Sequence, residues 1–173
     1  MRRSRILSFG IATLFFGCTY PVAEAPAPAG PPGPIQTPAR RSMEGQIFDL
    51  INAERRRAGL PALEYNAQLD QMAQIQAENM AHFQKMAHVI PEARLPTLAD
   101  RARSVGYPFG RIAENVALGF PTAETVVNGW MTSRGHRENI LNRDVVETGI
   151  AVRRSKGGAL YYCQVFGRRL TTF

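Results

Sequence analysis

The sequence predicts an α+β domain in which helices pack against an antiparallel sheet. Two segments with the 3.6-residue period of amphipathic helices lie within residues 44–83, and two β-type runs close the chain around the turn Lys156-Gly157-Gly158. Of the 173 residues, 45% are hydrophobic and 20% are charged, which excludes a polytopic membrane protein and a fully disordered chain. One domain is expected, because single cores usually grow to about 100–200 residues before a chain divides.

Residues 1–17 have the pattern of a secretory signal peptide. Arg2, Arg3 and Arg5 give a positive start, and the uncharged, mostly apolar stretch Ile6–Phe16 follows them. This stretch is too short to cross a bilayer, since a spanning helix needs about 20 apolar residues. It suits the apolar core of a signal peptide, so we predict that the protein is exported.

Two cleavage sites are compatible with this signal. The run Leu14-Phe15-Phe16-Gly17-Cys18 resembles a bacterial lipobox, in which the cysteine is lipidated after cleavage, although Phe15 stands where leucine is usual. The alternative is cleavage after Ala25, where Ala23-Glu24-Ala25 supplies an A-x-A pattern. Residues 18–43 are a proline- and alanine-rich linker, so an acylated Cys18 would tether the following domain to a membrane.

The first half of the predicted domain consists of helices. Helix one runs from Glu44 to Ala58 and ends at Gly59. A short extended connection over residues 60–65 leads to Asn66, which is the expected N-cap of helix two. Helix two carries an apolar face and fades near Ala87-His88; the face consists of Leu69, Met72, Ala73, Ala77, Met80 and Phe83.

The second half alternates between short helices and strands. A third helix, capped by Thr97, is predicted from Thr97 to Val105. A strand is predicted from Ile112 to Leu118, and a fourth helix capped by Thr122 follows it. The closing strands are predicted over residues 145–152 and 159–166.

Few residues in this frame are candidates for chemistry. His82 falls inside helix two and is expected at the surface. His88 and His136 are expected on loops at the ends of predicted elements, where two imidazoles could converge on a metal. Their spacing alone favours the alternative, in which both are hydrogen-bonded structural residues. Glu114 opens a predicted strand, where a buried acid needs a partner. Cys163 is expected to be a buried small residue within the last strand.

Four motifs in sequence order resemble the CAP superfamily (cysteine-rich secretory proteins, antigen 5 and pathogenesis-related 1), in its bacterial SCP-like branch. The motifs are Leu50-Ile51-Asn52-x-Glu54-Arg55, Ala113-Glu114-Asn115-Val116, Ser133-x-Gly135-His136-Arg137-x-Asn139-Ile140-Leu141 and Gly149-Ile150-Ala151-Val152 followed by Gln164-Val165-Phe166-Gly167. The resemblance implies an α-β-α sandwich with a central antiparallel sheet over residues 44–170.

The resemblance also implies an open cavity that holds two histidines and two glutamates in many members. Carried onto this sequence, the cavity residues are His88, Glu114 and His136, and the two histidines are the candidate ligands of a divalent metal such as zinc. The position of the second glutamate is Ser133, so the set of four is incomplete. Glu124 and Glu138 are possible substitutes that no motif places in the cavity.

Three functions follow from these features. The first is an exported binding module of the cell envelope that holds a lipid, glycan or peptide ligand, or a partner protein, with an open cavity around His88, Glu114 and His136. The second is a metal-dependent hydrolase of peptides or cell-wall components, and the third is a structural envelope protein without a small ligand. Nucleic acid is not a predicted partner, because the net charge of +7 comes with no basic stripe interleaved with aromatic residues.

Overall fold

The computed structural model describes residues 42–170, so the predicted signal peptide, Cys18 and nearly all of the linker lie outside the described residues. Helix α1 (Met43–Arg57) begins at Ser42, whose side chain accepts a hydrogen bond from the backbone N–H of Gly45. Helix α2 (Ala67–Phe83) has Asn66 as its N-cap, as predicted. The Asn66 side chain accepts hydrogen bonds from the backbone N–H groups of Gln68 and Leu69.

Helix α2 ends earlier than the predicted fade near Ala87-His88. Gln84 adopts the left-handed conformation with φ of 51°, and its N–H and that of Lys85 both bond to the carbonyl of Met80. This pairing closes the helix without the glycine that usually marks such an end. The chain from Gln84 to Pro96 is then irregular, and it carries His88.

Helix α3 (Leu98–Ser104) and helix α4 (Ala123–Thr132) begin at the predicted caps, Thr97 and Thr122. Strand β2 (Phe109–Leu118) lies between them and begins before the predicted start at Ile112. The extension crosses a register shift between Phe109 and Arg111, which the apolar alternation does not signal.

Helix α5 (Arg134–Ile140) was not predicted, and the expectation that His136 lies in a loop is therefore wrong. The segment contains Gly135 and buries only Ile140, so it lacks the apolar stripe by which amphipathic helices are recognised. Ser133 is both the C-cap of α4 and the N-cap of α5, so the second helix follows the first without a loop.

The sheet contains β1 (Glu64–Tyr65), β3 (Glu147–Arg154) and β4 (Leu160–Arg169) beside β2, in the order β1-β3-β4-β2. The three long strands are antiparallel, as predicted, whereas the two-residue β1 pairs in parallel with β3. The closing strands lie slightly later in the chain than predicted.

The helices cover both faces of this sheet and form the expected α-β-α sandwich. One apolar cluster joins α2 and α3 to Cys163 and Val165 on one face of β4. The second cluster joins α1, α4 and α5 to Tyr162 and Phe166 on the other face. This separation follows from the alternation of side chains along a strand.

Candidate functional site

The site is centred on Glu114, which β2 carries into the interior beside the irregular segment that follows α2. His88 Nδ1 donates to Glu114 Oε1 over 2.9 Å. The Glu114 side chain is only 3% exposed, whereas 57% of the His88 side chain is exposed. Glu114 therefore anchors an imidazole whose other side faces solvent.

Arg101 holds the second oxygen of the same carboxylate. Its Nη2 donates to Glu114 Oε2 over 2.6 Å, and its Nη1 donates to Gln76 Oε1 on α2. The Arg101 side chain is completely buried, and its Nε finds no partner among residues 42–170. The thiol of Cys163 also donates to Glu114 Oε2 over 3.4 Å. Glu114 thus meets the partner that a buried acid requires.

The pairing with Glu114 determines the state of His88. The hydrogen bond from Nδ1 to the carboxylate raises the pKa of His88, although partial burial acts in the opposite direction. Because Nδ1 carries the donated proton, Nε2 is the nitrogen that remains open to a ligand when the ring is neutral.

His136 lies on α5, which two asparagines tie to β2. Asn139 Nδ2 donates to Asn115 Oδ1 over 2.9 Å, and Asn115 Nδ2 donates to the backbone carbonyl of His136 over 3.1 Å. Burial lowers the pKa of His136, and the nearby charge of His88 lowers it further. The neutral form of His136 is therefore favoured.

A mostly apolar pocket of about 360 Å³ adjoins His136. Trp130 and Phe120 contribute aromatic walls, while Met86 and Leu118 stand at the rim with 51% and 40% of their surface exposed. Ser133, at the position where the resemblance places a second glutamate, also lines this pocket. Of the three predicted cavity residues, His136 alone lines this pocket, which has room for the apolar part of a ligand.

The other residues singled out in the sequence lie away from this pocket. His82 is exposed on α2, and Cys163 is a buried free thiol whose pKa is raised by burial. Glu124 is exposed in the first turn of α4, and Glu138 is exposed on α5, where it pairs with Arg134. Neither glutamate replaces the missing second carboxylate.

The donor set allows only a sparse metal site. Both Glu114 oxygens already accept hydrogen bonds, which leaves the His88 and His136 imidazoles as the available protein ligands. Within residues 42–170, no group of three or more His, Cys, Asp and Glu side chains could hold a metal ion. A divalent ion would fit only with water or ligand atoms in its remaining positions, with Glu114 orienting His88 from behind.

Sequence reasoning did not identify Arg101, although a signal is present. Leu98, Ala102 and Val105 follow a helical period, and Arg101 occupies the remaining position of that i, i+3, i+4, i+7 stripe. A charged residue on an apolar stripe requires a buried partner, and Glu114 is an acid with the matching need.

Known proteins share both the sequence pattern and the fold. The model of the cysteine-rich secretory protein family (CAP) matches residues 48–166. The uncharacterized protein YkwD of Bacillus subtilis is 33% identical over 125 residues, which cover 72% of this chain and 47% of YkwD. The chain therefore spans about half the length of this relative.

Two solved structures are similar to this chain. An extracellular protein of Bacillus anthracis that contains a SCP domain gives a TM-score of 0.67 with 31% identity, over 73% of this chain and 40% of that one. An outer surface protein of Borrelia burgdorferi shares the fold with a TM-score of 0.67 and 21% identity, over 75% and 97% of the two chains. With a family match over most of its length and these relatives, the chain belongs to the CAP (cysteine-rich secretory protein) family.

Proposed function

We propose that this CAP protein is an exported binding module whose ligand site is built around His88, Glu114 and His136. The supporting observation is that both carboxylate oxygens of Glu114 accept hydrogen bonds, one from His88 and one from Arg101. A carboxylate held in this way orients an imidazole, but it is poorly placed to take a proton from an attacking water. Binding is therefore favoured over hydrolysis.

The pocket beside His136 indicates the chemistry of the ligand. Its aromatic and aliphatic lining suits an acyl chain or an apolar peptide side chain better than a glycan. His136, which lines the pocket, would lie near the polar end of such a ligand and hydrogen-bond to it. Of the lipid, glycan and peptide ligands predicted from the sequence, we favour a lipid with a carboxylate end.

Trp130 provides the test, because it is the only tryptophan of the chain and it lines the pocket. A dibrominated stearic acid should quench its fluorescence saturably, because bromine quenches indole at contact distance, and unbrominated stearic acid should compete. Leu118→Asp should weaken the binding by about tenfold, which corresponds to about 1.4 kcal/mol, since a carboxylate at the rim disfavours an apolar ligand. The matched control is Leu170→Asp, at an exposed residue that does not line the pocket. Unsaturable quenching, or equal quenching in Leu118→Asp, would rule out the proposed lipid site.

His88 and His136 are also proposed as ligands of a divalent ion such as zinc, which when bound would polarise an oxygen of the ligand. Calorimetric titration with zinc should show binding that His88→Ala and His136→Ala each weaken by at least about tenfold, because each variant removes one of two protein ligands. His82→Ala is the matched control and should bind as the original chain does. No heat of binding, or unchanged affinity in both site variants, would refute the metal site, whereas zinc-dependent cleavage of peptide or cell-wall substrate would favour a hydrolase.

Export and membrane anchoring remain proposals that rest on the signal pattern of residues 1–17 and on the extracellular relative from Bacillus anthracis. No helix within residues 42–170 is long and apolar enough to cross a membrane. If Cys18 is the anchor, cells should incorporate labelled palmitate into the protein, and Cys18→Ser should abolish the label. Equal labelling of both proteins would eliminate the lipid anchor.

A further inference from the structure

One side of β3 is largely without a neighbouring strand in the described part of the chain. Strand β4 pairs with β3 along its whole length, from Glu147 to Arg154. On the other side, β1 pairs only with Glu147 and Thr148, because the chain then turns into α2. The edge from residue 149 to residue 154 has no partner strand among residues 42–170.

Backbone groups along this edge point outward at every second residue. The carbonyls of Val146 and Thr148 accept from the N–H groups of Glu64 and Asn66, over 2.8 and 2.9 Å. Because outward groups alternate along a strand, Ile150 and Val152 are the next outward-facing residues. Their N–H groups therefore face the side of β3 on which β1 has ended.

Two carboxylates now occupy these N–H groups, with long hydrogen bonds. Ile150 N donates to Asp70 Oδ1 over 3.4 Å, and Val152 N donates to Glu44 Oε1 over 3.3 Å. Hydrogen bonds to an ionised acceptor are usually about 2.7–2.9 Å long, so these two are weak. The carbonyl groups of a peptide paired with this edge could accept shorter hydrogen bonds from these two N–H groups than the carboxylates do.

Four residues of this edge line a cleft of about 490 Å³ together with residues of α1 and α2; they are Gly149, Ile150, Ala151 and Arg153. Phe48 and Tyr65 line this cleft, and 61% of the Tyr65 surface is exposed. The cleft thus combines an open strand edge with aromatic side chains that could pack against alternate side chains of a bound strand.

The charge of the cleft favours a basic occupant. Glu44 and Asp70 both line it, whereas the guanidinium of Arg153 is engaged by Glu78 over 3.2 Å and by the carbonyl of Val152. Acidic groups beside a free edge also discourage pairing with uncharged strands. A strand that carries lysine or arginine would instead neutralise the two carboxylates.

We propose that this cleft binds an extended, lysine- or arginine-containing peptide segment of a partner protein, which adds a strand to the free edge of β3. The six residues of the edge, at about 3.3 Å each, can pair with a hexapeptide of about 20 Å. This site is separate from His88 and His136, which do not line the cleft.

Fluorescence anisotropy with labelled hexapeptides and the purified protein tests the proposal. A peptide of alternating lysine and valine should bind, and the same peptide with glutamate in place of lysine should bind at least tenfold more weakly. Methylation of alternate backbone nitrogens should also weaken binding at least tenfold, because it removes the hydrogen bonds of one peptide edge. Equal binding of all three peptides, or no binding of the basic one, would overturn the proposal.

Matched variants locate the binding to the edge. Val152→Pro removes the outward N–H and should reduce peptide affinity at least tenfold, whereas Val152→Thr keeps the N–H and should bind within about threefold of the original chain. Glu44→Gln with Asp70→Asn tests the charge without a proline and should also weaken binding of the basic peptide. His88→Ala alters the proposed lipid and metal site and should leave peptide affinity unchanged. The two proposals can therefore fail independently of each other. Unaltered affinity in Val152→Pro, or a self-association that this variant abolishes, would assign the edge to something other than a partner peptide.

Discussion

Gly149→Ala is expected to lower the free energy of unfolding by at least about 4 kcal/mol, a large share of the stability of a typical domain. A Cβ at this position would stand 2.0 Å from the backbone nitrogen of Asp70 and 2.3 Å from the carbonyl carbon of Leu69. Both atoms belong to the backbone of the first turn of α2, which no side-chain rotation can move. Gly149 therefore sets the distance at which α2 packs on β3.

Thermal unfolding followed by circular dichroism measures this effect, and the midpoint should fall by about 10 °C or more. Gly135→Ala is the matched control, because a Cβ there meets nothing within 4 Å and alanine is the better helix former on α5. That substitution should stabilise the protein by about 0.5–1 kcal/mol. An unchanged midpoint for Gly149→Ala would mean that α2 does not pack on β3 as closely as described.

Arg101→Met is expected to cost about 3–5 kcal/mol at neutral pH, the cost typical of removing one partner from a buried ion pair. Methionine preserves much of the volume but leaves the Glu114 carboxylate, which is 3% exposed, without its cation. The interaction of Gln76 with the guanidinium would be lost as well. The substitution therefore affects both the core and the group that orients His88.

A double-substitution cycle measured by urea unfolding separates the ion pair from simple packing. Arg101→Met combined with Glu114→Gln should be more stable than the sum of the two single effects predicts, because the second change removes the unpaired buried charge. Arg103→Met is the matched control on the same helix, since 69% of the Arg103 side chain is exposed, and it should change stability little. Additive effects in the cycle would show that Arg101 and Glu114 are not coupled.

The sequence patterns predicted the parts of the fold that depend on local signals. The apolar period and the polar caps located α1, α2 and α4, and the capping residues Asn66 and Thr122 are confirmed. The missed elements lack such signals: α5 is short and contains Gly135, and β1 has only two residues. The pairing of β1 with β3 depends on residues distant along the chain, which periodicity does not register.

The same division applies to the site. Glu114 was expected to need a partner, and His88 is one of the residues that hydrogen-bond to its carboxylate. The partnership with Arg101 was missed, because arginine is usually exposed and its contact with Glu114 forms only when α3 packs on β2. The placement of His136 beside an apolar pocket likewise depends on α5, which was not predicted.

The most direct test of the site is the titration of His88 and His136 by nuclear magnetic resonance. His88 should titrate above the ordinary histidine value, because Glu114 stabilises its charged form, and His136 should titrate below it, because burial and the charge of His88 oppose protonation. Glu114→Gln should lower the pKa of His88 and leave His136 below its ordinary value. If His88 titrates at or below His136, or if Glu114→Gln leaves the pKa of His88 unchanged, the proposed arrangement of the site is wrong.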